Sequence, residues 1–383
     1  LESITVLDLA SVGPAARASR WLADYGARVV KVGPVPKDGG VQIVPPFHSY
    51  GGHRGMQRVL LDLKADAGRA AFLRLAASAD VVIESFRPGV VNLLGVGYDA
   101  INAVNPRIVY CSTSGYGQAG PWSQYAGHDL NYLAVGGFLA TTHPRGDGGP
   151  PVPGATVADS AGGGLHAVCA ILAALVARAN SGRGAYLDVA ATDGVVALMS
   201  LAIDEYLATG VEPGPRHGLL TGKYACYDTY EASDGGWLAV AAIEPKFWAN
   251  LCRLLGCEQW TTKQMDDAAQ DAIRADLRAV FKTKTRDEWA ALLAPADTCV
   301  APVLAVAELV DHPQLNARHD FVEAEHPAHG TFRQTAPVLA GQPALAEPVA
   351  LRDQTLTDTD AVLGAAGFTS EEIARLRAEG VAA

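Results

Sequence analysis

The sequence predicts an α/β fold, with a large domain built on a parallel sheet and a smaller α+β domain. Three observations carry this expectation. Short apolar runs alternate with helical periods through the first half of the 383 residues, the pattern of parallel strands covered by helices on both faces. Beyond residue 215 the pattern changes to a hairpin followed by helices. The composition, 49% hydrophobic and 19% charged, supplies a large core and excludes disorder. A length prior of about 150 residues per domain allows two to three such units.

Residues 4–10 (ITVLDLA) read as the first strand. Gly13-Pro14 opens a helix that closes at Gly26, with Pro just inside the start and Gly past the end. Residues 28–32 form a second strand, 65–77 a helix, and 80–84, 107–112 and 186–190 further strands. The longest apolar stretch, 161–179, holds three glycines, His166 and Arg178, and reads as a buried helix rather than a membrane span. The rhythm is Rossmann-like. Its first strand–helix turn is nevertheless Ala10-Ser11-Val12-Gly13-Pro14 and not GxGxxG, which rejects a nicotinamide or flavin enzyme. Neither a Walker A sequence nor a GxSxG elbow occurs. Residues 224–231 and 237–243 flank Ser233-Asp234-Gly235-Gly236 as a β-hairpin. Helices follow at 245–255, 267–281 and 286–293. The last sixty residues are Pro-rich until a helix at 370–378, for which Thr369 and Glu372 make a capping box.

Lys and Arg number 30 against 41 Asp and Glu, a formal charge of −11. Neither the basic footprint of a nucleic-acid binder nor a polybasic membrane surface is present. No basic n-region precedes the first strand, so a cytoplasmic protein is expected. Cysteines 111, 169, 226, 252, 257 and 299 show no CxxC and no zinc spacing, which predicts reduced core thiols and no metal site.

Three places combine ionisable groups with sharp turns. His128, in Gly127-His128-Asp129-Leu130-Asn131-Tyr132, stands at a Gly-led helix start beside free backbone N–H groups. It reads equally as a capping or packing residue. Asp159 precedes Gly162-Gly163-Gly164, where a substrate could approach the backbone closely. The same position suits an N-cap for the apolar helix behind it. Glu244, before Pro245, ends an apolar strand and meets a helix N-terminus, again as a functional carboxylate or a cap.

These three places share one resemblance. The stretches VLDLASVGP, GARVVKV, LLDLKADAG, ADVVIESFRPGV, SGYGQAGP, AGHDLNY, PVPGATVADSAGGG, SGRGAYLDVAATDG, YDTYEASDGGWLAVAAIEPKFW and CVAPVL resemble the family III CoA-transferases, as does the tail DAVLGAAGFTSEEIARLRAEGV. GHDLNY and IEPKFW resemble its α-methylacyl-CoA racemase branch. The likeness implies an interlocked homodimer, each chain passing through a hole in the other. It also implies a Rossmann-like large domain from residues 1–190, a linker at 191–220, a small domain at 221–320, and a return to the large domain over 321–383.

For the racemase branch, the resemblance implies His128, Asp159 and Glu244 as the catalytic set. A proton α to a thioester must leave one face and return to the other, which asks for two groups on opposite faces. His128 suits one face because the unperturbed imidazole pKa lies near neutrality. Asp159 would donate if its pKa were raised. Glu244 would orient the imidazole and support its charged form, and the Asp129 N–H would receive the enolate oxygen. By the same resemblance, Leu61, Asp62, Leu63 and Lys64, then Ser85, Phe86 and Arg87, meet coenzyme A. The acyl-thioester end lies along Gly127, Asp129, Leu130, Asn131 and Tyr132. Arg54 and Arg58 add charge or stay on the solvated surface. Coenzyme A is then part of the substrate, and no further cofactor is expected.

Two departures stand out. Gly33-Pro34 replaces an acidic residue and an Arg often found after the second strand, and a further Arg is missing near Leu93. The chain also has only Met56, Met199 and Met265, with Asp204-Glu205 following Met199, where the racemases use a Met-rich surface for lipid tails. The leading expectation is a 2-methylacyl-CoA racemase or epimerase. The alternative is a CoA-transferase in which Asp159 forms an acyl anhydride. A non-catalytic acyl-CoA-binding homologue is a third reading.

Overall fold

The computed structural model of the chain describes residues 1–36, 45–341, 345, 348–353 and 355–383. Apolar runs in the first half form strands β1 (Thr5–Asp8), β2 (Arg28–Gly33), β3 (Gln57–Leu60), β4 (Val81–Glu84), β5 (Val109–Ser114) and β6 (Ala185–Ala190). They make one parallel sheet in the order β3-β2-β1-β4-β5-β6. Strand β3 was not anticipated, because it opens on Gln57-Arg58 and shows only two apolar residues.

Each face of the sheet carries its own core. Leu7, Val30, Val59, Val82 and Tyr110 face the helix Asp66–Ala76, together with Val362, Leu363, Ile373 and Leu376 from near the chain's end. Val6, Val29, Val81, Ile83, Val109 and Cys111 face the helices Gly13–Asp24 and His166–Ser181. Burying such a side chain contributes about 1.5–3 kcal/mol, so both layers are held chiefly by apolar contact.

The apolar stretch expected as a helix runs unbroken from Ala158 to Ser181, and is long and apolar enough to cross a membrane by length and composition. It packs on the sheet through Ala167, Val168 and Ile171. Near its end Arg178 is 7% exposed and pairs with Asp80 at 2.8 Å. The helix thus covers the sheet with one side, while Cys169, Ala173 and Val176 on it stay exposed.

The chain divides into two compact units. The first comprises Leu1–Gly137, Pro153–Ser200 and Pro313–Ala383, and the second Phe138–Val152 and Leu201–His312. In the second, β7 (Tyr227–Glu231) and β8 (Trp237–Ala241) form the expected hairpin, and β9 (Val300–Pro302) pairs antiparallel with β8. Helices Pro245–Leu255, Gln270–Phe281 and Arg286–Leu293 bury Trp248, Leu251, Ile273, Leu277, Phe281 and Trp289 against that sheet.

The last part of the first unit contains β10 (Phe321–His326), β11 (Gly330–Thr335) and β12 (Val349–Ala350), a sheet missed in the Pro-rich reading. Part of that tract, 342–344, 346–347 and 354, lies outside the described residues. Helix Ser370–Ala378 begins with the expected capping box, the Thr369 N–H donating to Glu372 at 2.7 Å. Beyond it the Asp62 N–H donates to the Val381 carbonyl at 2.8 Å, tying the tail to the end of β3. Cys111, Cys226, Cys252 and Cys257 are buried free thiols, while Cys169 and Cys299 are exposed.

Candidate active site

The strand order reverses between β1 and β4, and open parallel sheets bind ligands beyond the carboxyl ends of strands at such a point. Helix Gly13–Asp24 starts there, with Gly13 at φ +78 and Pro14 in its first turn. Against it packs a π-helical segment, Ala158–Leu165, that carries Asp159. π-Turns are rare and concentrate at functional sites.

The three glycines of that segment serve helix packing rather than substrate access. A Cβ on Gly163 would lie 2.6 Å from Pro14 Cβ, and one on Gly164 would lie 2.8 Å from the Trp21 ring and 3.2 Å from Arg17 Cβ. One on Gly162 would lie 2.7 Å from the Ala191 carbonyl oxygen, on the helix Ala191–Leu198. Asp159 is also not an N-cap: it lies inside the π-helix, after a residue already in helical conformation, Val157.

Asp159 is half-buried, and its N–H donates to Asp129 Oδ1 at 2.8 Å. Burial raises its pKa above the ordinary carboxylate value, and the Asp129 charge adds to that. The charges of Arg17 and His128 oppose the rise. His128, Asp129, Asp159 and Arg17 therefore form one electrostatic group. His128 is exposed at the start of helix Asp129–Val135, and its N–H donates to Asn131 Oδ1 at 3.0 Å. As the first residue of the helix, Asp129 has an N–H with no intrahelical acceptor.

Of the other residues in this stretch, Leu130 and Asn131 are exposed. Tyr132 is 9% exposed and its hydroxyl donates to the Gly127 carbonyl. Its ring fills the space where a Cβ on Gly115 or Gly127 would sit, at 2.3 and 2.7 Å. Burial, with the nearby Asp159 charge, pushes the phenol up to about 12. Gly127 and Tyr132 thus shape the turn that presents His128.

Glu244 belongs to the second unit. It occupies the N-cap position of helix Pro245–Leu255 yet makes no side-chain capping bond, and its carboxylate is exposed. Cys299, at φ +51, sits close enough that burial and then the Glu244 and Asp297 charges raise its thiol pKa. Such φ values are strained for a non-glycine residue, and sequence patterns carry no trace of them.

The segments expected to meet coenzyme A follow β3 and β4 at the carboxyl edge. Lys64, Ser85 and Arg87 are exposed there, and Asp62 is half-buried. Leu63 and Phe86 pack partly on the core, while the Leu61 side chain is fully inside and its N–H donates to the Gly33 carbonyl at 2.9 Å. Arg54 is a correction to the expected extra charge: it is 4% exposed and donates to Gln334 and the Thr335 carbonyl. Gly33 closes β2, and Leu93 is 88% exposed on the turn Val90–Leu93.

Sequence reasoning missed Glu84. It is 1% exposed and accepts the Phe86 N–H at 2.7 Å, fixing the turn through Ser85. Burial pushes its carboxyl up to about 7, a hydrogen bond from Ser112 and the Phe86 N–H oppose this, and the Asp188 charge adds to it. Among the described residues, no three His, Cys, Asp or Glu side chains converge as a metal-binding group.

Comparison with known proteins decides the family. The profile of CoA-transferase family III matches residues 1–350. The chain belongs to CoA-transferase family III. Within this family it is 35% identical to the α-methylacyl-CoA racemase of Mus musculus over 382 residues, 99% of this chain and 96% of the relative. It is 32% identical to the acetyl-CoA:oxalate CoA-transferase of Acetobacter aceti over 339 residues, 84% of this chain and 85% of the relative. A solved CAIB/BAIF family protein from Brucella suis superposes with a TM-score of 0.76 at 28% identity, covering 99% of this chain and 98% of that one. Family III membership thus carries two chemistries, racemisation and CoA transfer, among similar relatives.

Proposed function

We propose that the protein is a racemase or epimerase of 2-methylacyl-CoA thioesters acting by 1,1-proton transfer through an enolate. The observation that carries this reading is the pairing of Asp159, its carboxyl raised by burial, with His128 in the same electrostatic group. A proton donor is served by a raised carboxyl pKa, and two-face proton transfer uses the imidazole beside it, which attack by a carboxylate nucleophile does not need. One of the two removes the α-proton, the other returns a proton to the opposite face, and the enolate oxygen is received by the Asp129 N–H. To Glu244 the proposal gives support of the imidazolium. Lys64, Ser85 and Arg87 hold the nucleotide, Arg87 as a planar fork for phosphate. The reaction is complete with coenzyme A as part of the substrate.

The proposed protein works as a homodimer. Helix Ser200–Thr209 buries none of its residues within the chain, with Leu201 79% and Leu207 74% exposed, which supports a partner there. A cytoplasmic location is proposed with it.

A second reading, CoA transfer, is favoured by the likeness to the oxalate transferase. There the Asp159 carboxylate attacks the thioester carbonyl, an anhydride forms and CoA thiolate leaves. Incubation in deuterated water with 2-methylacyl-CoAs and no acceptor acid separates the two. Label at the α-carbon is the expected result. CoA exchange that appears only on adding a carboxylic acid overturns it.

A further inference from the structure

Arg17 lies on the helix Gly13–Asp24, one turn in from the start, where that helix meets the Asp159 segment. Its Cβ and the Asp159 carbonyl oxygen both border the space above Gly164. One terminal nitrogen donates to Thr156 Oγ1 at 2.7 Å, and the guanidinium stands 5.4 Å from the centre of the Tyr50 ring. Its Nε is buried without a hydrogen-bond partner. Among the described residues, no carboxylate comes within ion-pair distance of it, although Arg20, Lys31 and Arg54 nearby each have one. A half-buried guanidinium with an unused buried donor leaves an acceptor to be supplied, and a planar carboxylate is the group its fork matches best.

We propose that Arg17 is a specificity-determining residue that binds a second carboxylate on the acyl group, so that the preferred substrates are CoA monothioesters of branched dicarboxylic acids. This rests on the racemase reading for the position of the acyl group beside Asp159. Neutralising Arg17 with the substrate's own charge also removes one of the two cations that oppose protonation of Asp159. The substrate thereby prepares its own proton donor. A sequence with three methionines, in place of a Met-rich lipid track, agrees with a short polar acyl group.

The test compares 2-methylglutaryl-CoA with 2,5-dimethylhexanoyl-CoA, which replaces the carboxylate with an isopropyl group of similar shape. Calorimetric Kd and α-deuterium uptake are measured on the whole protein. The wild type is expected to bind the dicarboxylic thioester about 30-fold tighter, the scale of a charge-assisted pair. Arg17→Met should reduce that preference below about threefold, and Arg17→Lys should keep part of it. A preference absent in the wild type, or surviving in Arg17→Met, overturns the proposal. So does an equal loss of affinity for free CoA, which would assign the guanidinium to the nucleotide. If the preference depends on Arg17 but neither thioester exchanges its α-proton, the carboxylate site stands and the racemase reading fails. Exchange on both thioesters without any dependence on Arg17 gives the converse.

Discussion

At the residue scale, the proposal gives His128 and Asp159 separable tasks. His128→Ala should stop label uptake from one enantiomer of a 2-methylacyl-CoA while exchange begun by Asp159 persists on the other, and Asp159→Ala should show the mirror pattern. Glu244→Gln should be milder and resemble a weakened His128, since both bases remain. Uptake measured from each pure enantiomer checks this, and loss on the same enantiomer in both alanine variants overturns the two-face assignment. Glu84 gives a second prediction, on stability. Its folded pKa of about 7 exceeds the ordinary 4.5, so its neutral form is the one the fold favours. The contribution is fully present below pH 4.5 and is lost as pH rises towards 7. Ionising it costs about 3 kcal/mol above that range. Glu84→Gln keeps an acceptor for the Phe86 N–H and removes the ionisation, so it should melt higher than the wild type at pH 8 and no higher at pH 4.5. Calorimetric melting at both pH values checks this, and an equal shift at both contradicts it.

Elements turn on close approach. Gly163→Ala would place a methyl 2.6 Å from Pro14 Cβ, where neither backbone can yield cheaply. Separating the two helices should lower stability by about 1–3 kcal/mol and displace Asp159 from His128, so urea midpoint and exchange rate should fall together. An unchanged midpoint would show that the helices part without cost. Much of this level was legible in the sequence. Gly13-Pro14 set a helix start, the Thr369 and Glu372 pair set another, and the hairpin around Gly235-Gly236 came from its turn chemistry. Strand β3 was not legible, because its first two residues are polar, and β10 alternates Val322 and Ala324 with acids in a tract dominated by Pro. The π-turn left no periodic mark, since three consecutive glycines read as a loop or a ligand cradle until the neighbouring helix is seen. Of the site, His128 and Asp159 were named from local motif and resemblance. Arg17 and Glu84 could not be, because their meaning lies in partners distant in sequence or in the partner they lack.

For the whole molecule, the prediction concerns assembly. Leu201 and Leu207 are exposed on a helix that buries nothing of its own. Leu207→Glu should therefore convert dimers to monomers or soluble aggregates, with loss of exchange activity, as read by light scattering. A wild-type chain that is monomeric and active would refute the dimer. The first unit's core also includes Val362, Leu363, Ile373, Leu376 and Val381, while its sheet is complete by Ala190. That imposes an order on synthesis. The ribosome makes six strands, sets them aside, completes the second unit with Leu201–His312, and only then supplies the residues that close one face of the sheet. At about 5–20 residues per second, the 383 − 200 = 183 intervening and closing residues take roughly 10–40 s. For that time the helix Asp66–Ala76 covers only part of this face and the part later closed by Val362, Leu363, Ile373 and Leu376 stays open, so the first unit is the natural client of a chaperone at the exit tunnel.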